Sequence, residues 1–223
     1  MAAFENAVSL GYRYLETDVH ATADGMVVAF HDDDLGRMTD QQGRIGDLPW
    51  STVRRARVRY DHNIPLLEDL LGAWPEVRVN VDPKHDAALV PLAGLLARTG
   101  SASRVCVGAF SDRRLRRVRG LVGPELCTSL GPVGIARLRA ASLGLPAGPL
   151  PAACAQVPVT ARGLPVTDAR FVAAAHDRGI QVHVWTIDDP AEMERLLDLG
   201  VDGIMTDRPL VLKQLLEQRG CWM

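Results

Sequence analysis

The fold is decided by residues 77–100, VRVNVDPKHDAALVPLAGLLARTG, which have the pattern of one strand followed by one helix. Valine alternates with polar residues from 77 to 82, and this period of two is typical of a strand. A leucine-rich stretch at 87–97 follows and is closed by Gly100, a residue type that commonly ends helices. A unit of this kind indicates a parallel sheet covered by helices.

The same strand-helix unit recurs to the end of the chain. Further strands are predicted at residues 105–110, 126–129, 153–157, 180–185 and 203–205. A helix follows each of them: one begins at Ser111, one runs through Leu138, and the others include 172–179, 190–199 and 209–218. Such repetition is typical of a doubly wound sheet or a (β/α)₈ TIM-type barrel. Seven barrel-type strands can be counted where a closed barrel needs eight. We therefore predict an α/β fold, a TIM-type barrel missing its first strand.

The N-terminal part contributes the second strand of that barrel and a hairpin. A short helix at 2–10 ends at Gly11, and a strand at 14–20 is followed by an Asp24-Gly25 turn. Residues 27–31 then return as the second arm, which predicts a β-hairpin insertion after the second strand. Two helices are predicted around 50–58 and 66–74.

Composition favours a single domain over residues 1–223, because 47% hydrophobic content is enough to bury a sizeable core. The formal net charge of −2 provides no basic field, so nucleic-acid binding is not expected. No signal peptide is visible, and four prolines interrupt the uncharged stretch 140–161, so no transmembrane segment is predicted. We expect a cytoplasmic protein, although a secretory signal upstream of the missing strand stays open. Three cysteines, Cys106, Cys127 and Cys154, are expected in the core and Cys221 at the surface.

Polar side chains gather at the ends of two predicted strands. Glu16 and Asp18 are two residues apart and leave the strand on one face, as do Asp82 and Lys84 on the strand that begins at 77. Sites of parallel α/β folds lie at these strand ends. The hairpin returns His31 to the same place, and Trp185 is expected near it. The alternatives are a solvated edge strand for the first two carboxylates, a surface position for Lys84 and a barrel plug for Trp185.

Three carboxylates form an oxygen-rich site that suits Mg²⁺ or Ca²⁺ better than zinc. A lysine beside such a cation would bind a phosphate oxygen, and a histidine can transfer protons near neutral pH. The combination favours phosphoester chemistry on a small molecule. His183 is expected to be a satisfied core histidine, and the remaining histidines, His20, His62, His85 and His176, are expected to be surface or packing residues.

Six motifs make the chain resemble the glycerophosphodiester phosphodiesterase family over nearly its whole length. They are ETDVHATADGMVVAFHD at 16–32, LGRMTD at 35–40, IPLLE at 64–68, VNVDPK at 79–84, VHVWTI at 182–187 and GVDGIMTDRP at 200–209. The resemblance implies a metal-dependent TIM-barrel hydrolase that converts glycerophosphodiesters to an alcohol and glycerol 3-phosphate. It implies metal ligands at Glu16, Asp18 and Asp82, a general acid/base at His31, phosphate contact at Lys84 and a substrate wall at Trp185.

The chain departs from the family's pattern at two places. The family usually has glutamate at the position of Asp82, so a cation would sit differently here. It also begins with a strand bearing a His-Arg pair, which these 223 residues lack. We therefore expect impaired activity. Two alternatives stay open: a degenerate barrel that binds a phosphorylated ligand without turnover, and a phosphodiesterase acting on lysophospholipids.

Overall fold

Alternating strands and helices run through the computed structural model, which describes residues 1–59 and 61–222. The chain divides into two compact units. The first contains Met1–Ala109 and Arg113–Cys127, and the second contains Phe110–Asp112 and the residues from Thr128 onward. A single domain over residues 1–223 stays a prediction.

The helices and strands are numbered in chain order. The helices are α1 (Ala2–Ser9), α2 (Trp50–Val53), α3 (Leu67–Ala73), α4 (Leu89–Thr99), α5 (Asp112–Val122), α6 (Pro132–Ser142), α7 (Ala169–His176), α8 (Pro190–Leu199) and α9 (Pro209–Gln218). The strands are β1 (Tyr14–Ala21), β2 (Val27–Ala29), β3 (Arg57–Val58), β4 (His62–Asn63), β5 (Arg78–Pro83), β6 (Val105–Val107), β7 (Cys127–Thr128), β8 (Cys154–Val157), β9 (Thr160–Ala161), β10 (Leu164–Pro165), β11 (Gln181–Val184) and β12 (Gly203–Ile204). No helix in the described ranges is both long and apolar enough to cross a membrane.

The sheet that contains β1 and β5 has the order β2-β1-β5-β6-β7. Strands β1 and β5 run parallel, with Glu16 opposite Asn80 and Asp18 opposite Asp82. Strand β2 pairs antiparallel with the end of β1, where Val19 lies opposite Ala29. This register brings the polar ends of β1 and β5 side by side.

Alternation along β5 explains how its polar residues reach one face. Val79 and Val81 are buried and belong to the core of the first unit, together with Leu89 and Leu92 of α4. Each such buried side chain contributes about 1.5–3 kcal/mol to folding. Because successive side chains point to opposite faces, the valines fix Asp82 on the other face.

The second unit has a parallel sheet of order β12-β11-β8. Helix α8 follows β11 and has a cap at each end. The Asp189 carboxylate accepts a hydrogen bond of 2.9 Å from the Glu192 N–H, and Gly200 adopts the left-handed conformation at φ +88°. The core of this unit contains the fully buried Phe171 of α7.

The helix predicted at 50–58 is wrong beyond its first turn. Helix α2 ends at Val53, and Arg57–Val58 pairs antiparallel with His62–Asn63 instead. The Arg57 N–H donates to the Asp40 carboxylate at 2.8 Å, so the backbone is held by a partner distant in sequence. Cys154 is buried and Cys221 is exposed, as predicted. Cys106 and Cys127, which were expected in the core, are only half-buried.

Candidate active site

A lysine lies between two carboxylates where β1 and β5 end. Lys84 Nζ is 2.6 Å from Asp18 Oδ1 and 3.4 Å from Asp82 Oδ2. The parallel register sets this geometry, because Asp18 and Asp82 are direct neighbours across the two strands and Lys84 follows two residues later. The three groups together carry one excess negative charge.

The charges in this cluster perturb one another. Burial raises the pKa of Asp82, Lys84 opposes that rise, and the neighbouring Asp18 adds to it. Burial alone would lower the pKa of Lys84, but its hydrogen bond to Asp18 and the charge of Asp82 raise it overall. Within the described residues, Asp82 Oδ1 is buried and has no hydrogen-bond partner. A buried, unpartnered carboxylate oxygen beside a second carboxylate fits the hard-oxygen donor set of Mg²⁺ or Ca²⁺.

His31 reaches the cluster from the segment after β2. Its Nε2 is 3.8 Å from Asp18 Oδ2, and its Nδ1 is 2.7 Å from Asp32 Oδ1. Arg37 donates to both oxygens of Asp32 at 2.6 Å, and these hydrogen bonds lower the pKa of Asp32 to about 2. An ionised Asp32 only accepts hydrogen bonds, so Nδ1 of His31 carries a proton and Nε2 of the neutral ring presents a lone pair.

The structure brings together four of the six predicted site residues: Asp18, Asp82, Lys84 and His31. Glu16 is exposed on the same face of β1, two residues before Asp18. Trp185 belongs to the second unit, where its ring meets the edge of Phe110 at a centroid distance of 5.5 Å. Phe110 itself is 69% exposed.

Several neighbours of the site were not identified from the sequence. Asp32 and Arg37 orient His31; both lie within the motifs quoted at 16–32 and 35–40, but no role was predicted for either. His20 is buried, with 2% of its surface exposed. Nε2 of His85 lies 3.1 Å from Oδ1 of Asp33. His183, expected to be a core residue, is half-buried, and its Nε2 lies 3.2 Å from Gln181 Oε1.

Comparison with known families decides the affiliation of the chain. A model of the glycerophosphoryl diester phosphodiesterase family matches residues 1–118 and 141–211. The chain belongs to this family. Probable glycerophosphodiester phosphodiesterase 2 of Mycobacterium tuberculosis is 41% identical over 227 residues, covering 100% of this chain and 86% of that protein. Lysophospholipase D GDPD1 of Rattus norvegicus is 26% identical, covering 97% and 81%.

Solved structures agree with this affiliation at the level of the fold. The glycerophosphoryl diester phosphodiesterase domain of a Mycobacterium tuberculosis protein has a TM-score of 0.81 at 19% identity, covering 94% of this chain and 90% of that one. An Oleispira antarctica phosphodiesterase in complex with the product sn-glycerol-3-phosphate has a TM-score of 0.79 at 21% identity, covering 97% and 90%. The predicted family and its TIM-type α/β fold are therefore confirmed, and the missing first strand stays a prediction.

Proposed function

We propose that this chain hydrolyses glycerophosphodiesters to an alcohol and glycerol 3-phosphate. The observation that carries the proposal is the cluster of Asp18, Asp82 and Lys84 with His31 at its rim. The family affiliation supports it, as does the 41% identical relative whose name states this activity. The substrate is a small molecule, and no nucleic-acid partner is proposed.

Glu16, Asp18 and Asp82 would hold the divalent cation, Mg²⁺ or Ca²⁺, through carboxylate oxygens. When bound, the cation stabilises negative charge that develops on the phosphoryl oxygens. Lys84 is already 2.6 Å from Asp18, so its ammonium group sits where it can contact a phosphate oxygen of the substrate. The cation and the ammonium group together suit a substrate that carries negative charge at its reacting centre.

His31 transfers the proton. Asp32 accepts from Nδ1 at 2.7 Å and leaves Nε2 facing the carboxylate cluster, so Nε2 is the atom that gains or loses the proton. Arg37 holds Asp32 through two hydrogen bonds and thereby fixes the ring through its neighbour. His31 is 74% exposed, and its orientation therefore depends on these polar contacts more than on packing.

The substrate wall is assigned to Trp185, whose ring packs on Phe110 in the second unit. Exposed apolar side chains of the same unit, Leu143 and Leu145, favour a second candidate function, a phosphodiesterase acting on lysophospholipids. The 26% identical relative named Lysophospholipase D GDPD1 supports this alternative.

We also propose that the barrel is completed by a first strand bearing the His-Arg pair. In this arrangement β1 is the second strand, the antiparallel pair β1–β2 forms the hairpin insertion, and residues 1–223 belong to one barrel domain. If that strand supplies a second proton-transfer histidine, a form of the chain that carries it should turn over substrate about 10²- to 10⁴-fold faster than residues 1–223. Equal turnover by both forms would refute this part.

Choline release tests both substrate classes, because glycerophosphocholine and lysophosphatidylcholine share this product. Glycerol 3-phosphate is formed only from the first. We expect release of glycerol 3-phosphate with Mg²⁺ or Ca²⁺. A chelator should abolish this release, and so should the double substitution Glu16→Gln/Asp18→Asn. His62→Gln, at an exposed histidine of β4, is the matched control for His31→Gln. Binding of glycerol 3-phosphate without any turnover would instead support the degenerate, non-catalytic alternative.

A further inference from the structure

Three side chains that the proposed reaction does not use converge beside the active site. His20 lies near the end of β1, Asp33 follows the hairpin, and His85 comes directly after Lys84. One potential ligand atom from each residue lies within 4.8 Å of the other two. His85 Nε2 is 3.1 Å from Asp33 Oδ1, and His20 Nδ1 is 4.0 Å from the same oxygen.

The hydrogen bonding of His20 prepares it as a ligand. Its Nε2 lies 3.2 Å from the backbone carbonyl oxygen of His31, which can only accept a hydrogen bond. Nε2 therefore carries the proton, and Nδ1 presents its lone pair toward Asp33. Histidines that bind metals in proteins are typically oriented in this way, with the other ring N–H donated to a carbonyl or carboxylate.

Asp33 is oriented in a comparable manner. Its Oδ2 accepts a hydrogen bond from Arg44 Nε at 2.9 Å and lies 2.8 Å from Arg44 Nη2 in an ion pair. Oδ1 is left facing the two imidazoles. Two imidazole nitrogens and one carboxylate oxygen suit Zn²⁺ and related first-row ions, whereas Mg²⁺ and Ca²⁺ prefer oxygen ligands alone.

The distances fit such an ion with a small contraction. Bonds of 2.0–2.1 Å in tetrahedral geometry place ligand atoms roughly 3.3 Å apart. The two measured separations, 3.1 Å and 4.0 Å, lie on either side of that value. The side chain of His85 is 50% exposed, so a solvent water has access to a fourth coordination position.

We propose that His20, Asp33 and His85 form a binding site for a Zn²⁺-class transition-metal ion, distinct from the oxygen-rich site of Glu16, Asp18 and Asp82. The site would join β1, the loop that begins at His31 and the segment after Lys84. An ion bound there would hold that loop in place, because His20 also bonds the His31 carbonyl. The proposal is independent of the proposed hydrolysis, since metal uptake can be measured without substrate.

Cobalt binding tests the site, because Co²⁺ substitutes for Zn²⁺ and absorbs visible light. The titration uses Glu16→Gln/Asp18→Asn, which removes two ligands of the oxygen-rich site, and is repeated on the unaltered chain with that site saturated by Mg²⁺. We expect one equivalent of Co²⁺ to bind in both samples, with absorption typical of four or five ligands. Zn²⁺ should displace it and raise the unfolding midpoint.

His85→Gln is the decisive variant, because the side chain is half exposed and its loss leaves the core intact. It should weaken Co²⁺ binding at least about 10-fold, since even residues that only orient a ligand contribute 10- to 100-fold. His62→Gln removes an exposed histidine elsewhere and should leave binding unchanged. Equal affinities in these two variants, or no stoichiometric uptake by the unaltered chain, would overturn the proposal. Glycerophosphodiester hydrolysis with Mg²⁺ would be unaffected by that failure.

Discussion

Replacing Asp82 with asparagine should have opposite effects on stability with and without a divalent cation. Asp82→Asn keeps the shape of the side chain and removes one charge from a buried carboxylate whose pKa burial raises. Without a cation, that carboxylate destabilises the fold, because its Oδ1 is buried without a partner in the described residues and Asp18 repels it. The variant should therefore be more stable than the unaltered chain in the presence of a chelator.

The magnitude follows from the groups involved. A buried, unsatisfied polar group costs about 1–3 kcal/mol, and asparagine relieves only the charged part of this cost. The contact with Lys84 that is lost is long, 3.4 Å, so it offsets little. We expect a gain of about 1 kcal/mol, which corresponds to roughly 2–4 °C in a chain of this size. A cation at 100 times its Kd stabilises the unaltered chain by about 2.7 kcal/mol, and the variant should lose most of this gain.

Thermal unfolding in a chelator, in excess Mg²⁺ and in excess Ca²⁺ measures both effects. Asp47→Asn, at an exposed aspartate, controls for the change in net charge. A lower midpoint for Asp82→Asn in the chelator would refute the argument that the buried carboxylate is destabilising. If Mg²⁺ and Ca²⁺ raised the unfolding midpoint of Asp82→Asn as much as that of the unaltered chain, the assignment of Asp82 as a cation ligand would be refuted.

Four further outcomes are expected. His31→Gln should lower kcat about 10²- to 10⁴-fold with an unchanged unfolding midpoint, measured side by side with His62→Gln. Asp32→Ala should lower kcat at least about 10-fold, because Nδ1 of His31 loses its acceptor, and equal activity would contradict the orienting role. The hydrogen bond from Arg139 lowers the pKa of Asp168, so this interaction stabilises the fold. The stabilisation is fully present above about pH 4 and is lost as the pH falls through the pKa of Asp168 in the folded protein. Asp168 also caps α7 by accepting a hydrogen bond from the Phe171 N–H, and Asp168→Asn keeps this cap. In pH-dependent unfolding the deficit of this variant, about 0.5–1 kcal/mol, should vanish in acid. Phe171→Ala should cost about 3–5 kcal/mol in denaturant unfolding, because the ring is fully buried.

The cluster of Asp18, Asp82 and Lys84 was predictable because strand periodicity alone determines it. Valines at every second position of β5 require the intervening residues to share a face, and parallel strands end at the same edge. The same reasoning places Glu16 on that face of β1. Local pattern was enough here, since each residue's direction follows from its neighbours along the strand.

The group of His20, Asp33 and His85 was not predictable in this way. Only His20 lies on a strand, and the other two occupy loops whose paths depend on long-range contacts. Asp33 is positioned by Arg44, eleven residues away in sequence, and the pairing of β3 with β4 depends similarly on the bond between Arg57 and Asp40. Side chains in loops carry no periodic signal, so such partners emerge only from coordinates.

Charged contacts hold the first three residues after the hairpin, His31, Asp32 and Asp33, and this links the two clusters. His31 is largely exposed, and each of the two aspartates that follow it forms an ion pair with an arginine. Asp32 pairs with Arg37, and Asp33 pairs with Arg44. Exposed ion pairs of this kind are weakened by salt, because the screening length is about 8 Å at physiological ionic strength and shortens as salt is added. A cation bound by Asp33 and the two histidines would add bonds that salt screens far less. The order of the segment carrying the proton-transfer group should therefore depend on ionic strength in the metal-free protein and much less after zinc is added.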